Sequence, residues 1–447
     1  MRLAHYSLKA VLKRWKNSRK NKQFGRPHPI QMADIAHNNS KGDSYFKGKS
    51  FLLLTHELSY TGAPLLLMET AQMLIEEGAT VKLVNPYRGR KRWSLRRNRF
   101  AVAREHSVPL VPFSSILRHL ATSDFIIANT VTETVMAIVE EIIQQAPETT
   151  AKLIIWVHEI DVERYLPYTA NIKCAALTVF DSQACKDAWE NCIGSVQNSV
   201  VIHPSISPRM LVKLSQCRAE FPHVPTSRNP TNTHPASREE IRSVLGVDDS
   251  DFLVLCLGTV EDRKGQALLL DTLSQFSSHC DRPIKLCLVG FKNARKRKQF
   301  IKNMSDSERK VLSSERAYVW QSEIAAFYLG ADAFVMNSQG ENKGRGECFG
   351  RVTLEAMAAG RIVLGTSVGG TKEIIKHENS GYLFPPGVEG QTILTDQIKY
   401  LTKNPEVAAA LGSAARKYAL EVFDQSRFLK EFEVSFSKIL QNHRNLG

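Results

Sequence analysis

Two glutamates, Glu347 and Glu355, are separated by seven residues in the stretch ECFGRVTLEAMAAGRIVLGTSVGGTKEII. The pattern places the first on a Gly-rich loop and the second inside a helix that Gly350 opens and Gly360 ends. An ionised glutamate only accepts hydrogen bonds, which suits it to the paired hydroxyl donors of a sugar or a ribose. The spacing therefore indicates a site that binds hydroxyl groups.

Two glycine turns in the same stretch lead into helices. Gly350 precedes one helix, and Gly369-Gly370-Thr371 precedes another that is predicted from Lys372. The N-terminus of a helix presents free backbone amides and a partial positive charge, so it favours phosphate groups. Two such turns facing one crevice favour the two phosphates of a nucleotide-sugar.

A third turn, GTVEDRKGQ, begins at Gly258, after a strand predicted at 251–258, and leads into a helix from Gln266. Arg263 and Lys264 both suit a diphosphate, by bidentate contact or as a point charge. The alternative interpretation of Lys264 is an exposed surface lysine.

The N-terminal half begins with its own strand–turn–helix unit. A strand is predicted at 51–55, and Ala63-Pro64 opens the following helix. Ligands of α/β proteins bind at such turns, which favours a cleft role for Thr61, Gly62 and Ala63; the alternative is a glycine needed for turn conformation alone. His158 follows a strand predicted at 152–157 and is either a site residue or a structural histidine.

The alternation of strands and helices in both halves predicts two doubly wound, Rossmann-like α/β domains. We expect a basic extension over 1–49, a first domain over 50–210, a linker over 211–236 and a second domain over 237–424. A last helix is expected over 425–447. Ser237 and Glu240 form a capping box, and a short strand is predicted at 317–320.

The Glu347–Glu355 motif, with Phe-Gly inside it and Gly-Gly-x-x-Glu-Ile after it, resembles the family 4 retaining glycosyltransferases of the GT-B fold. These belong to the UDP-glycosyltransferase and glycogen phosphorylase superfamily. The resemblance runs from about Phe51 to the C-terminus and includes HELSYTGAPLLLMETA. It implies two Rossmann-like domains facing a central cleft, with the last helix crossing back onto the first domain.

The resemblance also implies a role for each motif residue. Glu355 is expected to hold the ribose hydroxyls, and Glu347 the hydroxyls of the transferred sugar and its oxocarbenium-like transition state. Lys264 is expected to stabilise the leaving diphosphate, and His158 to face the donor sugar and acceptor. Further donor-binding positions are Arg263, Phe349, Gly350, Arg351, Val352 and Gly370.

One position of the donor site departs from the family pattern, and the base-binding residues have only a weak sequence signal. The family usually has Arg where Thr259 stands, and Arg263 is the candidate replacement. The nucleotide base is expected near the end of the strand predicted at 317–320. The base-contact candidates there are Val319, Trp320 and Gln321.

The implied reaction transfers a sugar from a nucleoside-diphosphate sugar, with UDP favoured, to a hydroxyl of a glycan, lipid or small molecule. Anomeric configuration is retained, and no metal or other cofactor is expected. Asp249-Ser250-Asp251 precedes its strand, whereas a metal-binding carboxylate pair follows one. The alternative is a non-catalytic GT-B protein that binds a glycan or a nucleotide, supported by Thr259 and a longer loop around 342–345.

The net charge of +14 favours anionic partners without choosing among them. The loop at 88–99, RGRKRWSLRRNR, is either a recognition loop for an anionic acceptor or lipid surface, a nucleic-acid contact, or a solvated charge run. Nucleic acid has the least support of these. The basic residues at 1–49 indicate a membrane-surface helix, a targeting segment or a disordered tail.

The eight cysteines are scattered, with no Cys-x-x-Cys pair. This favours a reducing compartment, with no disulfide framework and no zinc site. No apolar run reaches the roughly 18 residues of a transmembrane helix. We therefore expect a cytoplasmic protein without a secretory signal, with peripheral membrane contact through its basic segments.

Overall fold

The computed structural model describes residues 44–84, 101–217, 236–317, 321–340 and 346–446. Within these ranges the strands form two parallel sheets, one in each half of the chain. The strands are β1 Ser50–Thr55, β2 Thr80–Val84, β3 Leu110–Val111, β4 Phe125–Asn129, β5 Leu153–Val157, β6 Leu177–Phe180, β7 Ser199–Val201, β8 Phe252–Leu257, β9 Ile284–Phe291, β10 Leu312–Ala317, β11 Ala333–Met336, β12 Ile362–Thr366 and β13 Tyr382–Phe384.

Helices connect the strands and cover both faces of each sheet. Those of the first half and the connection are α1 Gly62–Glu76, α2 Ala101–Glu105, α3 Ile116–Thr122, α4 Glu133–Gln145, α5 Thr169–Cys174, α6 Gln183–Ile193 and α7 Pro208–Ser215. Those of the second half are α8 Arg238–Leu245, α9 Gln266–Phe276, α10 Ala294–Lys302, α11 Asp306–Val311, α12 Gln321–Gly330, α13 Arg351–Ala358, α14 Thr371–Ile374, α15 Gly387–Lys403, α16 Pro405–Val422 and α17 Gln425–Leu446. Short 3₁₀ helices cover Phe113–Ser115, Pro147–Lys152, Val162–Tyr168, Asp262–Lys264 and Ser277–His279.

The sheets share one kind of strand order. The first runs β3-β2-β1-β4-β5-β6-β7 and the second β10-β9-β8-β11-β12-β13. In each, the chain moves outward from a central strand, β1 or β8, and then returns to that strand's other side. A crevice opens at the carboxyl ends of the strands at such a reversal, which is where open α/β sheets bind ligands. This confirms the predicted pair of Rossmann-like domains.

The central strands are buried on both faces. All residues of β4, β5, β11 and β12 are buried. A parallel sheet covered by helices on both sides needs such continuous apolar strands. Because β11 and α13 are anchored in this core, they can position Glu347, on the loop between them, and Glu355, within α13.

The last helix, α17, packs against the first domain. Phe436 lies 5.0 Å from Phe125 between ring centroids, and Phe432 lies 5.3 Å from Trp156. Phe428, Phe432 and Phe436 are almost completely buried in the core of the first sheet. The predicted crossing of the C-terminal helix onto the first domain is therefore confirmed.

Local signals at helix ends also predict the structure. Ser237 Oγ accepts a hydrogen bond from the Glu240 amide at 3.1 Å, and the Glu240 carboxylate accepts one from the Ser237 amide at 2.8 Å. Both halves of the predicted capping box are present. Gly246 ends α8 with φ of 68°.

Two segments differ from expectation. Residues 211–215 of the predicted linker belong to α7, while 218–235 lie outside the described residues. Of the strand predicted at 317–320, only Ala317 lies in the described residues, and it is the last residue of β10, which begins at Leu312. β10 is an edge strand with the polar sequence LSSERA, so it lacks the apolar run that marks a buried strand. The predicted domain boundaries otherwise stay predictions.

No helix in the described part of the chain has both the length and the apolarity to cross a membrane. The segments 1–43 and 88–99, on which the membrane and nucleic-acid interpretations rest, lie outside the described residues.

Candidate functional site

A cavity of about 260 Å³ lies between the two domains at the carboxyl ends of their strands. It brings together ten of the residues predicted for the site from sequence. Its lining is formed by Gly62, Ala63, Leu66, His158, Asp181, Leu257, Gly258, Thr259, Arg263, Lys264, Glu347, Cys348, Phe349, Gly350, Arg351 and Val352.

His158 enters the cavity from the end of β5 and bonds through both ring nitrogens. Nδ1 lies 2.6 Å from Asp181 Oδ2, and Nε2 lies 2.8 Å from Asn129 Oδ1. Asn129 Nδ2 donates to the Ala63 carbonyl at 3.1 Å, which fixes the amide so that its oxygen faces His158. Both imidazole nitrogens therefore face acceptors, which favours a proton on each of them.

The electrostatics of His158 agree with this hydrogen bonding. Burial lowers the pKa of the imidazole, but the charge and hydrogen bond of Asp181 outweigh burial and leave the pKa raised. Trp156 Nε1 donates to the other Asp181 oxygen at 2.8 Å, so the carboxylate is held in place. The surroundings of His158 therefore favour its imidazolium form, in which both ring nitrogens donate hydrogen bonds.

On the opposite wall, Lys264 and Glu347 form an ion pair. The two side chains are only 13% and 16% exposed. Burial raises the pKa of Glu347, but the Lys264 ammonium and its hydrogen bond outweigh burial and leave the pKa lowered. Arg263 adds to this effect, and its guanidinium donates to the Gly346 carbonyl at 3.2 Å. Glu347 is therefore ionised at neutral pH.

The start of α13 lies beside this ion pair. Gly350 is its N-cap residue, with φ of 99°, a conformation that a side chain would strain. The first helical residues, Arg351 and Val352, line the cavity with Gly350 and Phe349. The free amides and positive end of this helix favour an anion at this wall.

The second glycine turn has a different position. The Gly370 amide donates to the Glu347 carbonyl at 2.8 Å, and Gly370 is not among the residues that line the cavity. The turn thus supports the backbone of Glu347, and its direct contact with a donor stays a prediction. The helix after it, α14, sends Glu373 into the first domain, where it accepts from the Gln183 and Ala184 amides at 2.9 and 2.8 Å.

Glu355 lies behind the cavity wall and is 9% exposed. Its Oε2 accepts a hydrogen bond from Tyr328 Oη at 2.8 Å, and its Oε1 lies 4.0 Å from Arg351 Nη2. Burial raises the pKa of Glu355 more than Arg351 and Tyr328 lower it. Arg351 also pairs with Glu69 of α1, so these charges form a buried cluster between the domains.

The turn at the start of α1 contributes backbone groups to the cavity wall. The Gly62 carbonyl accepts from Arg351 Nη1 at 3.2 Å, and Gly62 and Ala63 line the cavity. Thr61 does not line it; its hydroxyl donates to Glu57 Oε1 at 3.2 Å. Of the base-contact candidates, Val319, Trp320 and the side chain of Gln321 lie outside the described residues.

Sequence reasoning missed four polar residues of this region. They are Asn129 and Asp181, which bind His158, Tyr328, which binds Glu355, and Glu69, which binds Arg351. Asn129 and Asp181 lie at the ends of β4 and β6, so strand position alone could have flagged them. Glu69 and Tyr328 lie within helices and carry no comparable signal. In the described ranges, no group of three or more His, Cys, Asp or Glu side chains is arranged to hold a metal ion.

Two family models match this chain, one on each half. The model for glycosyl-transferase family 4 matches residues 47–219, and the model for glycosyl transferases group 1 matches residues 237–418. Together they include every residue that lines the cavity.

Two relatives share part of the sequence. The N-acetyl-alpha-D-glucosaminyl L-malate synthase of Bacillus anthracis is 30% identical over 147 residues, which are 33% of this chain and 35% of that protein. The D-inositol 3-phosphate glycosyltransferase of Pseudarthrobacter chlorophenolicus is 30% identical over 184 residues, 40% of this chain and 41% of that protein. The matches thus span less than half the length of these two relatives.

Solved structures match nearly the whole fold. The structure of Anabaena HepE in complex with UDP and glucose has a TM-score of 0.65 at 19% identity, covering 87% of this chain and 100% of that one. WaaG, a glycosyltransferase involved in lipopolysaccharide biosynthesis, has a TM-score of 0.58 at 15% identity, covering 86% and 98%. At these identities the likeness shows the fold. With a glycosyltransferase model matching each half and this two-domain architecture, the chain belongs to glycosyltransferase family 4 and has the GT-B fold.

Proposed function

We propose that this protein transfers a sugar from a nucleoside-diphosphate sugar to a hydroxyl acceptor, with retention of anomeric configuration and without a metal ion. One observation carries the proposal: the cavity places Lys264, Glu347 and the Gly350 helix start opposite His158 and the Gly62 turn. HepE, which shares this fold, was solved in complex with UDP and glucose, and this favours uridine as the base.

The diphosphate is assigned to the wall formed by the second domain. Lys264, Arg263 and the amides at the start of α13 supply positive charge and donors to the leaving group. Charge-assisted hydrogen bonds contribute about 1.5–3 kcal/mol each. Since Lys264 is paired with Glu347, a bound diphosphate shares this ammonium with the carboxylate. These groups supply the stabilisation for which other transferases use a cation.

Glu347 is assigned to the transferred sugar. Its lowered pKa keeps it ionised, so it accepts from sugar hydroxyls and stabilises an oxocarbenium-like transition state. The bond between the anomeric carbon and the phosphate oxygen breaks, and the acceptor oxygen bonds to the same face of that carbon. The acceptor's proton passes to the leaving phosphate oxygen. The scheme does not use His158 as the base, because both of its ring nitrogens are engaged by Asp181 and Asn129.

Glu355 is assigned to the ribose hydroxyls. Its Oε2 is engaged by Tyr328, whereas its Oε1 lies 4.0 Å from Arg351 and keeps lone pairs for a hydroxyl donor. Binding at this position requires a ribose to reach behind Arg351 and Val352, which line the cavity in front of Glu355.

The acceptor is a hydroxyl of a glycan, lipid or small molecule. One relative is named for L-malate and another for D-inositol 3-phosphate, so the relatives themselves leave the class of acceptor open. We place the protein in the cytoplasm, with peripheral membrane contact through its basic segments at 1–49 and 88–99 if the acceptor is a lipid.

A donor screen tests the proposal. Uridine, guanosine and adenosine diphosphates and their sugars are compared by thermal shift, since a bound ligand raises apparent stability by RT ln(1 + [L]/Kd). The tightest donor is then used in hydrolysis and transfer assays. Glu347→Gln is expected to lower kcat and Glu355→Gln to weaken nucleotide binding, while Glu406→Gln, on an exposed surface, changes neither.

Each outcome separates the candidates. Binding without hydrolysis or transfer to any acceptor favours a non-catalytic nucleotide-binding protein. Wild-type turnover in both Glu347→Gln and Glu355→Gln removes the roles assigned to the motif glutamates.

A further inference from the structure

The loop at 258–265, called here the Lys264 loop, is held by hydrogen bonds with buried side-chain amides. Gln266 is 2% exposed, and its Nε2 donates to the Thr259 carbonyl at 3.0 Å. Its Oε1 accepts from the Glu261 amide at 3.3 Å. One buried amide thus satisfies both a carbonyl and an N–H in the first half of the loop.

The second half of the loop is held by the segment that follows β11. Asn337 is completely buried, and its Nδ2 donates to the Gly265 carbonyl at 2.9 Å. The backbone N–H of Gln339 donates to the Arg263 carbonyl at 2.8 Å. Lys264 therefore lies between two carbonyls that are both fixed by residues 337–339.

The contact at Gly265 is close. Gly265 has φ of 64°, and a Cβ on it would lie 2.2 Å from the Asn337 carbonyl oxygen. The loop backbone therefore rests directly on Asn337, without room for a side chain. Because the backbones of Gly265 and Asn337 are in direct contact, a shift of Asn337 also shifts the loop.

Asn337 is itself held by a second buried amide. Its Oδ1 accepts from Gln391 Nε2 at 2.9 Å and from Gln339 Nε2 at 3.0 Å. The Thr272 hydroxyl lies 3.0 Å from Gln391 Oε1 and 2.7 Å from the Leu268 carbonyl, so its single proton is shared between them. The orientation of Asn337 is fixed, since rotating its amide by 180° would place oxygen against the Gly265 carbonyl.

We propose that Asn337 and Gln391 are positioning residues of the donor site, which set the Lys264 loop at the distance where Lys264 reaches Glu347 and a bound diphosphate. The proposal rests on the proposed function, because it assigns the diphosphate to Lys264. It adds residues that touch neither the donor nor the acceptor and that lie outside the glutamate motif.

The contacts of the Gly265 carbonyl explain why Asn337 affects the position of Lys264. The Gly265 carbonyl accepts from Asn337 Nδ2 and from the Leu269 amide, both at 2.9 Å, so Asn337 ties the start of α9 to the segment after β11. Without the Asn337 donor, the Lys264 loop loses this link to the segment after β11, and a negative charge at residue 337 pushes the Gly265 carbonyl away, so Lys264 moves with the loop. Phosphate binding depends on that position, whereas base and ribose contacts made elsewhere do not.

Asn337→Asp tests this without changing side-chain shape. Its carboxylate still accepts from Gln391 but cannot donate to the Gly265 carbonyl, which it repels. Titration calorimetry on the full chain is expected to show at least tenfold weaker binding of uridine diphosphate and less than twofold change for uridine. Asn379→Asp, an exposed site with the same charge change, is the matched control.

Gly265→Ala is the second variant, because it keeps Asn337 and pushes the loop away from it. It is expected to show the same loss for uridine diphosphate alone. Gln391→Leu is expected to have a smaller effect, about threefold, since Gln339 still donates to Asn337.

Three results overturn the inference. Asn337→Asp and Gly265→Ala proteins that bind uridine diphosphate like the wild type remove the positioning role. An equal loss for uridine and uridine diphosphate indicates general damage to the fold. A wild-type protein that binds none of the uridine, guanosine and adenosine diphosphates refutes the proposed function first, and the inference with it.

Discussion

Lys264→Met changes one half of a buried ion pair. Lys264 and Glu347 are 13% and 16% exposed, and the pKa of Glu347 stays low because the ammonium outweighs the effect of burial. Without Lys264, the carboxylate keeps its burial and loses its main counter-charge. The substitution is therefore expected to destabilise the fold as well as the donor site.

The expected loss is about 3 kcal/mol at pH 7. Removing one partner of a buried ion pair typically costs about 3–5 kcal/mol of stability. Because the Arg263 guanidinium still acts on Glu347, we expect a loss at the lower end of that range. The double variant Lys264→Met/Glu347→Gln removes the unpaired charge. It should be more stable than the sum of the single changes predicts, by at least about 1 kcal/mol.

The pH dependence gives a second check. In the wild type, the lowered pKa of Glu347 contributes stability that is present above the ordinary value of 4.5 and is lost as pH falls through the folded value. In Lys264→Met, burial raises the pKa of Glu347 above its ordinary value. The difference between variant and wild type is therefore largest near neutral pH and shrinks as pH falls.

Urea unfolding at pH 7 and pH 5, followed together by circular dichroism and tryptophan fluorescence, measures both effects. Lys403→Met is the control, since Lys403 faces Asp281 at 4.0 Å with both side chains more than half exposed. Such a surface pair contributes less than about 1 kcal/mol. A Lys264→Met protein as stable as the Lys403→Met protein, or a deficit that does not change with pH, would refute the reasoning.

Three further predictions concern other contacts. Asp181→Asn should lower the pKa of His158 below 6.5, because burial remains while the counter-charge is removed; imidazole NMR titration measures it, and a pKa that stays raised contradicts the assignment. Phe436→Ala should destabilise the protein by about 3–5 kcal/mol in urea unfolding, because the ring is fully buried between α17 and the first sheet; a loss below about 1 kcal/mol would show that the helix is loosely docked. Glu373→Gln should speed hydrogen exchange at the Gln183 and Ala184 amides, since the carboxylate of one domain caps the helix of the other; unchanged exchange would show that this contact is absent in solution.

Signals that act over a few residues predicted much of the fold. The strand predicted at 51–55 lies within the bounds of β1, and the Ser237–Glu240 box marked the start of α8. Apolar runs and caps are decided by neighbours in the chain, so a single sequence contains them. The start of the edge strand β10 was missed because one side of it has no neighbouring strand to demand an apolar pattern.

The partners of the site residues could not be read in the same way. Asn129 and Asp181 lie 29 and 23 positions from His158, and Glu69 lies 282 positions from Arg351. Asparagine, aspartate and glutamate are common at such places for reasons of solubility or capping. The strand order of the first sheet brings Asn129 and Asp181 to His158, and the packing of the two domains brings Glu69 to Arg351.

The sequence determined that Glu347 and Glu355 flank a helix start in a strand–loop–helix unit, because periodicity and glycine placement suffice for that. By residue type alone, both glutamates are acceptors for hydroxyl groups. The tertiary structure decided that they differ: burial is opposed at Glu347 by the Lys264 ammonium, which lowers its pKa, and prevails at Glu355, whose pKa is raised. The charge of a carboxylate depends on its solvation and on the charges within a few ångströms, and those are set by residues distant in the chain.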